Sequence, residues 1–164
     1  MFSEAMELYR GSFPEYEQRL APSQSRILSD PEYNFMLIYS GDTFVGIMLY
    51  WENDDFIYLE HFCTLPEMRG KGFGARALGM LTARGKTVIL EIDPPEDELS
   101  CRRQSFYERC GFFSNDHDYI HLPYRVGDAG HRLVIMSSPE AVGRERFDAF
   151  RDYMRDRVML SAME

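Results

Sequence analysis

Cysteine is scarce in this chain. Cys63, Cys101 and Cys110 are the only three in 164 residues. Their odd number and lack of metal-ligand spacing predict neither a disulfide framework nor a zinc site. The histidines do no better, and His117 and His121, in a mixed polar and aromatic segment, are not read as a metal site. Long apolar runs are also missing, and none approaches the ~20 residues of a membrane span. The opening Met1-Phe-Ser-Glu-Ala-Met-Glu has no basic region and no cleavable apolar stretch, so no signal peptide is expected. Positive charge is in short supply: 18 Lys and Arg stand against 27 Asp and Glu, a net charge of −9. Without a basic patch, a nucleic-acid surface is argued against. The expectation is a reduced, cytoplasmic protein with no metal, membrane or nucleic-acid partner. What is present is ordinary for a globular domain, with 45% hydrophobic and 27% charged residues. At this length a single domain over 1–164 is expected, large enough to bury a core.

The rest of the chain is arranged around Glu67-Met-Arg-Gly-Lys-Gly-Phe-Gly-Ala-Arg-Ala-Leu78. A strand-like segment, 56–65, precedes it and closes at Pro66. Phe73, Ala77 and Leu81 then recur at helical spacing, with Met80 beside them. Arg69, Gly70, Lys71, Gly72, Phe73 and Gly74 therefore occupy a strand-to-helix junction. Alternate glycines allow a sharp turn and a close approach to a ligand. The helix start adds unpaired N–H groups and the positive end of its dipole, and Arg69 and Lys71 add charge. In physical terms this is a pyrophosphate site. A Walker A loop would need Ser or Thr after Gly-Lys, and Gly72 stands there. A dinucleotide fingerprint fits with its last glycine one position early, with Glu91 near the distance of a ribose-binding acid. A plain glycine turn with two solvated basic residues is the remaining alternative.

Taken in order, Phe2, Met6, Tyr9 and Phe13 form the stripe of a first helix that ends at Pro14. A short second helix covers 22–28. Tyr33–Ser40 and Thr43–Trp51 are strands joined by the two-residue Gly41-Asp42 loop. A third strand carries Glu60 into the glycine turn. Helix 73–84 stops at Gly85, and Thr87–Ile92 is a nearly continuous apolar strand suited to a central position. A helix over about 100–110 stops at Gly111. The mixed polar and aromatic segment 115–124 is expected to reach the active site. His131–Ser138 is a last strand. Ser138-Pro139 is read as the cap of a terminal helix with Phe147, Phe150, Met154 and Val158 as its buried stripe; its mixed-sign polar face makes it a packing helix.

Two motifs carry a family likeness. Arg69-x-x-Gly72-x-Gly74 follows a strand ending Thr64-Leu-Pro, and Ser100-Cys-Arg-Arg-Gln-Ser-Phe-Tyr-Glu-Arg-Cys-Gly-Phe112 lies one strand further on. In that order they resemble the GNAT superfamily of acyl-CoA-dependent N-acyltransferases, from about Tyr33 to Phe113. The resemblance implies an α/β fold with a splayed, mostly antiparallel sheet flanked by helices, here with an extra C-terminal helix and without the family's usual first strand. It implies acetyl-CoA as cosubstrate, no metal, and a small-molecule or peptide amine as acceptor, in a monomer or homodimer. It further implies a strand bulge whose freed backbone groups at Phe62, Cys63 and Thr64 hold the pantetheine arm. Glu15, Tyr16 and Glu17 would border the acceptor pocket. Ser100 and Arg103 stand where many members have Asn and Ala, and both are expected to touch the cofactor.

The chemistry defines two further roles. A primary amine of pKa ~10.4 is neutral in roughly one molecule in two to three thousand at pH 7, a scarcity worth ~4–5 kcal/mol unless the site removes the proton. Glu60 is the candidate base; many GNAT enzymes carry Glu there. By strand alternation His61 would face the other way. Tyr107 is the candidate acid, because a phenol of pKa ~10 is close enough to a thiol's ~8.5 to protonate a leaving thiolate. Cys63 has no His–Asp arrangement and is not expected to be a nucleophile. The alternative to an N-acetyltransferase is a non-catalytic acyl-CoA-binding sensor with the same fold.

Overall fold

In a computed structural model, residues 2–160 and 162 are described. Helix α1 (Phe2–Ser12) is followed by a 3-10 turn at Glu15–Glu17 and helix α2 (Ala21–Ile27). Strands β1 (Tyr33–Ser40), β2 (Thr43–Glu52) and β3 (Phe56–Thr64) form an antiparallel meander. The turn between β1 and β2 needs the left-handed conformation, which Gly41 supplies with φ of 60°. Then come α3 (Phe73–Thr82), β4 (Thr87–Ile92) and α4 (Glu98–Arg109). The remaining strands are short: β5 (Phe113–Ser114), β6 (Ile120–His121), β7 (His131–Arg132) and β8 (Val134–Ser138). Helix α5 (Arg144–Tyr153) continues into wider, π-type turns over Met154–Val158.

The main sheet has the order β1-β2-β3-β4-β8-β5, and only the β3–β4 pair is parallel. β6 and β7 form a separate two-stranded piece. The sheet is apolar on both sides. One face carries Trp51, Tyr58 and Ile89 against α1 and α5; the other carries Met48, Ile57 and Leu59 against Leu78 and Leu81 of α3 and Phe112. Phe147 and Phe150 of α5 are 1% and 0% exposed. At roughly 1.5–3 kcal/mol for each fully buried side chain, that stripe holds the terminal helix to the sheet.

Three local expectations change. In α1 the buried face centres on Ala5 and Tyr9, and Phe2 is exposed, because Phe2 lies at the helix start with Phe35 of the edge strand as its ring neighbour. The last strand divides into β7 and β8 at Leu133. The terminal helix starts at Arg144 with Gly143 as its cap. Ser138 is still in the sheet, paired with Val88, so its backbone cannot also open a helix. The Asn115 side chain holds the crossing segment by accepting from the Val142 N–H and donating to the Ser137 hydroxyl.

Candidate active site

The site begins with one extra residue. β2 pairs with β3 at Leu49–His61 and next at Tyr50–Leu59, which leaves Glu60 as a bulge. An inserted residue resets the alternation of a strand. Glu60 meets Trp51 and Arg19, and His61 meets Tyr9 and Phe13, all on the face that packs against α1. The His61 ring and the Glu60 carboxylate therefore look to the same side, against the expectation of opposite faces, which assumed an unbroken period of two. On its other edge β3 pairs with β4 from Phe56–Thr87 to Leu59–Leu90 and no further. The strands part there, and Glu60 and Glu91 are the next residue on each.

Glu60 has no exposed side-chain surface. Its Oε1 accepts from Arg19 Nε at 2.9 Å and from the Tyr124 hydroxyl at 2.9 Å, and its Oε2 accepts from Trp51 Nε1 at 2.9 Å. Arg19 Nη2 lies 2.8 Å from the same Oε1 and also donates to the Val158 carbonyl. Burial alone would raise the Glu60 pKa, but Arg19, His61 and the Trp51 hydrogen bond outweigh it and hold the carboxyl below its usual range. This carboxylate is saturated with donors.

Glu91 has the contrasting environment. Its side chain is 7% exposed, and its pKa is raised, chiefly by burial, with His121 and hydrogen bonds from Tyr58 and Tyr119 opposing and the Glu60 charge adding to the rise. The Tyr119 hydroxyl donates to Oε1 at 3.1 Å, and His121 Nε2 stands 3.7 Å from Oε2. Segment 115–124 does reach this region, through Tyr119, His121 and Tyr124. Sequence reasoning missed Arg19 and Trp51, reached Tyr124 only as part of segment 115–124, and gave Glu91 no role in acyl transfer. One signal was legible: Glu91 is the lone charge in an otherwise apolar central strand.

At the far end of β3 stands the glycine turn. Gly70 and Gly72 have φ of 74° and 78°, and a Cβ at either would meet nothing within 4 Å. The turn thus opens outward, with Gly72 as the cap of α3. The first N–H groups of that helix have no intrahelical partners, and Arg69 and Lys71 are exposed beside them. This cradle of left-handed glycines at a helix start fits a pyrophosphate. Gly74 brings three elements together: a Cβ there would lie 3.3 Å from the Phe106 ring and 3.6 Å from Phe62. Phe73 lies under Arg76, 4.7 Å from its guanidinium.

Tyr107, one residue past Phe106, packs on Phe106 and Phe112. Burial pushes its pKa up to about 12, with Arg103 opposing and Cys110 and Cys63 adding. The Cys63 thiol is itself pushed up to about 11 by burial, so it stays protonated at neutral pH. Thr64 pairs with Gly46, where a Cβ would collide with the Cys63 carbonyl. Ser100 forms a reciprocal helix cap: its hydroxyl accepts from the Asp97 N–H at 3.0 Å, and Asp97 Oδ1 accepts from the Ser100 N–H at 2.7 Å. Arg103 pairs with Asp93 at 3.2 Å, both exposed. Asp93 in turn helps burial raise the Glu17 pKa, so Tyr16, Glu17, Asp93 and Arg103 are electrostatic neighbours.

Residues 1–112 match the model of the acetyltransferase (GNAT) family. The chain belongs to the GNAT acetyltransferases. A GNAT-family protein of Bacteroides thetaiotaomicron, provisionally named as an acetyltransferase, superposes with a TM-score of 0.90 at 29% identity, covering 96% of this chain and 91% of that one. A Bacillus subtilis (strain 168) protein provisionally named as an acetyltransferase, YjbC, is 31% identical over 65 residues. That match spans 38% of this GNAT chain and about a third (34%) of the relative. An aminoglycoside 6'-N-acetyltransferase solved with coenzyme A shares the fold, with a TM-score of 0.58, 14% identity, and 83% and 88% of the two chains covered. GNAT relatives thus bind coenzyme A, and among the described residues of this member no helix is long and apolar enough to cross a membrane.

Proposed function

We propose that this GNAT acetyltransferase moves the acetyl group of acetyl-CoA directly to a primary amine of a small molecule or peptide. The observation that carries the reading is the parting of β3 from β4 after Leu59–Leu90, directly upstream of the outward-opening glycine turn. Past that point no described strand pairs with the β4 side of β3, so the backbone groups within Phe62, Cys63 and Thr64 that alternate away from β2 would be open to a pantetheine arm. Arg69 to Gly74 would hold the pyrophosphate with backbone N–H groups and two basic side chains.

In the reaction the amine nitrogen attacks the thioester carbonyl, the C–N bond forms, and the C–S bond breaks. Tyr107 donates its phenolic proton to the departing sulfur. Its pKa, pushed up to about 12 by burial, keeps that proton in place across the neutral range and makes the phenol a weaker acid toward the thiolate than a free tyrosine. Cys63 is a small neutral wall beside this path. Ser100 secures the start of α4, and so the position of Tyr107, while Arg103 contributes charge at the acceptor mouth. Glu60 holds Arg19 and Tyr124 as a fixed frame behind the splay; a carboxylate already accepting from three side chains is poorly suited to take a further proton.

The test is thiol release from acetyl-CoA across a panel of primary amines, with mass spectrometry of the product. An amine-dependent rate and a product heavier by one acetyl group are expected. Tight acetyl-CoA binding with no thiol release for any amine would favour an acyl-CoA sensor instead.

A further inference from the structure

We infer that His121, oriented by Glu91, is the group that takes the proton from the acceptor amine. The inference rests on the acetyl-transfer reading above and assigns it a base.

Geometry comes first. Among the described residues, His121 is the one basic side chain within 4 Å of the Glu91 carboxylate. Glu91 stands on β4 just past the last pair with β3, across the parting from Glu60. The two carboxylates share a face of the sheet and differ in what surrounds them. Arg19, Trp51 and Tyr124 fill Glu60, whereas Glu91 has, among the described residues, only the neutral hydroxyls of Tyr119 and Tyr58 as hydrogen-bond partners. Glu91 Oε2 stands 3.7 Å from His121 Nε2, just beyond hydrogen-bond length; closing that gap would draw the ring proton to Nε2 and leave the lone pair on Nδ1. His121 is 3% exposed, and its Nδ1 is buried with no hydrogen-bond partner. A buried acceptor without a donor is costly and calls for an explanation; an incoming amine N–H supplies the donor.

The surroundings fit a base that must discharge its proton. The His121 ring lies 5.1 Å from Tyr124 and 5.5 Å from His131. His131 is partly exposed and 5.6 Å from Tyr16. The charged and titratable groups facing His121 are Glu91 of β4, Glu17 of the first 3-10 turn, His61 of β3, Tyr124, and His131 of β7. Opposed environments on paired carboxylates, one held low and one raised, are the pattern by which sites divide acid and base work.

The protons balance as follows. An amine arriving as ammonium gives one proton to His121 Nδ1, and the imidazolium is stabilised by Glu91. That proton leaves through His131 to water. The neutral amine attacks, and the proton it sheds after the C–N bond forms follows the same route. The leaving thiolate takes its proton from Tyr107, which is reprotonated from solvent. One proton is released per turnover.

Two measurements decide it. The first is the pH profile of kcat/KM for wild type, His121→Gln and Glu91→Gln, using acetyl-CoA and the best amine from a panel of spermidine, tyramine and a lysine-containing peptide. At pH 7, His121→Gln should lose roughly 10²–10⁴-fold, and the loss should shrink toward high pH as the free amine becomes neutral by itself. Glu91→Gln should lose less and keep the wild-type limb shape. A folded His121→Gln with the wild-type rate and profile overturns the inference, as does a loss that merely tracks the melting temperature at every pH. The second needs no acceptor: ring nitrogen NMR of the unmodified protein, with the His121 signal assigned by its absence in His121→Gln or, should that variant not fold, His121→Asn. The Nε2–H tautomer is expected, and Nδ1–H overturns the inference. If wild type turns over no amine at all, the acetyl-transfer reading fails separately, and the tautomer still decides the orientation by Glu91.

Discussion

Glu60 and Glu91 stand opposite each other one step beyond the last paired residues of β3 and β4, Leu59 and Leu90. They occupy one face of the sheet in opposite electrostatic states. Arg19 ties Glu60 into a buried ion pair at 2.8 Å, while His121, at 3.7 Å, is among the described residues the one basic side chain within 4 Å of Glu91. The sheet thus splits between two carboxylates of unequal affinity for protons, Glu60 held below its usual range against burial by Arg19 and Glu91 raised by burial.

Breaking the fixed side should be expensive. Arg19→Met leaves the Glu60 charge buried and unpaired, a loss of roughly 3–5 kcal/mol. The double variant Arg19→Met with Glu60→Gln should lose clearly less than the sum of the two single changes. Urea unfolding of all four proteins measures the coupling. Turnover of Glu60→Gln should follow its stability at every assay pH. A stable Glu60→Gln whose rate recovers with rising pH would return the base role to Glu60.

The two carboxylates predict opposite pH dependences of stability. Glu60 has a lowered folded pKa, so its contribution is present above the ordinary Glu value of ~4.3 and is lost as pH falls through the folded value. Glu91 has a raised folded pKa. The native state then holds the extra proton between ~4.3 and the folded value, and stability declines as pH rises through that window. Glu91→Gln should therefore gain on wild type as pH rises from 4 toward neutral. A difference in unfolding free energy that is flat over that range contradicts it.

Gly72→Val should weaken coenzyme A binding strongly, as measured by calorimetry. Its φ of 78° makes any L residue strained there, at roughly 1–2 kcal/mol, and the branched side chain would stand where the phosphates are placed. Nothing in the protein lies within 4 Å of that Cβ, so the variant should still fold. Unchanged affinity in a folded variant removes the turn from the site.

Tyr107→Phe should lower turnover by ~10²–10⁴-fold at saturating substrates and leave the melting temperature nearly unchanged. The ring contacts with Phe106 and Phe112 survive the change. A loss of only a few-fold would mean that water protonates the thiolate, and near-normal turnover would leave Tyr107 as packing.

Local signals made much of the fold legible. The strand 87–92 has the bounds expected of it, and the glycine turn has the left-handed conformations that its spacing requires. These features depend on residues within about one or two turns of each other, where backbone sterics and side-chain period dominate. The start of α5 was misread for a related reason: Ser138-Pro139 looks like a cap locally, but pairing with Val88 keeps Ser138 in the sheet.

By itself the sequence determined the family, the splayed α/β architecture, and the turn at the start of α3, because each is written in short motifs and periodic patterns. Only the tertiary structure decided the surroundings of Glu60. The family likeness implied a bulge in this strand, but pairing with β2 is what puts it at Glu60, and no pattern within β3 discloses that position. Arg19 reaches both Glu60 and Val158, 41 and 139 residues away, and Tyr124 closes the frame from 64 residues away. Whether a buried carboxylate is saturated or left free for a proton depends on which distant donors the fold delivers to it, and chain order does not encode that distance.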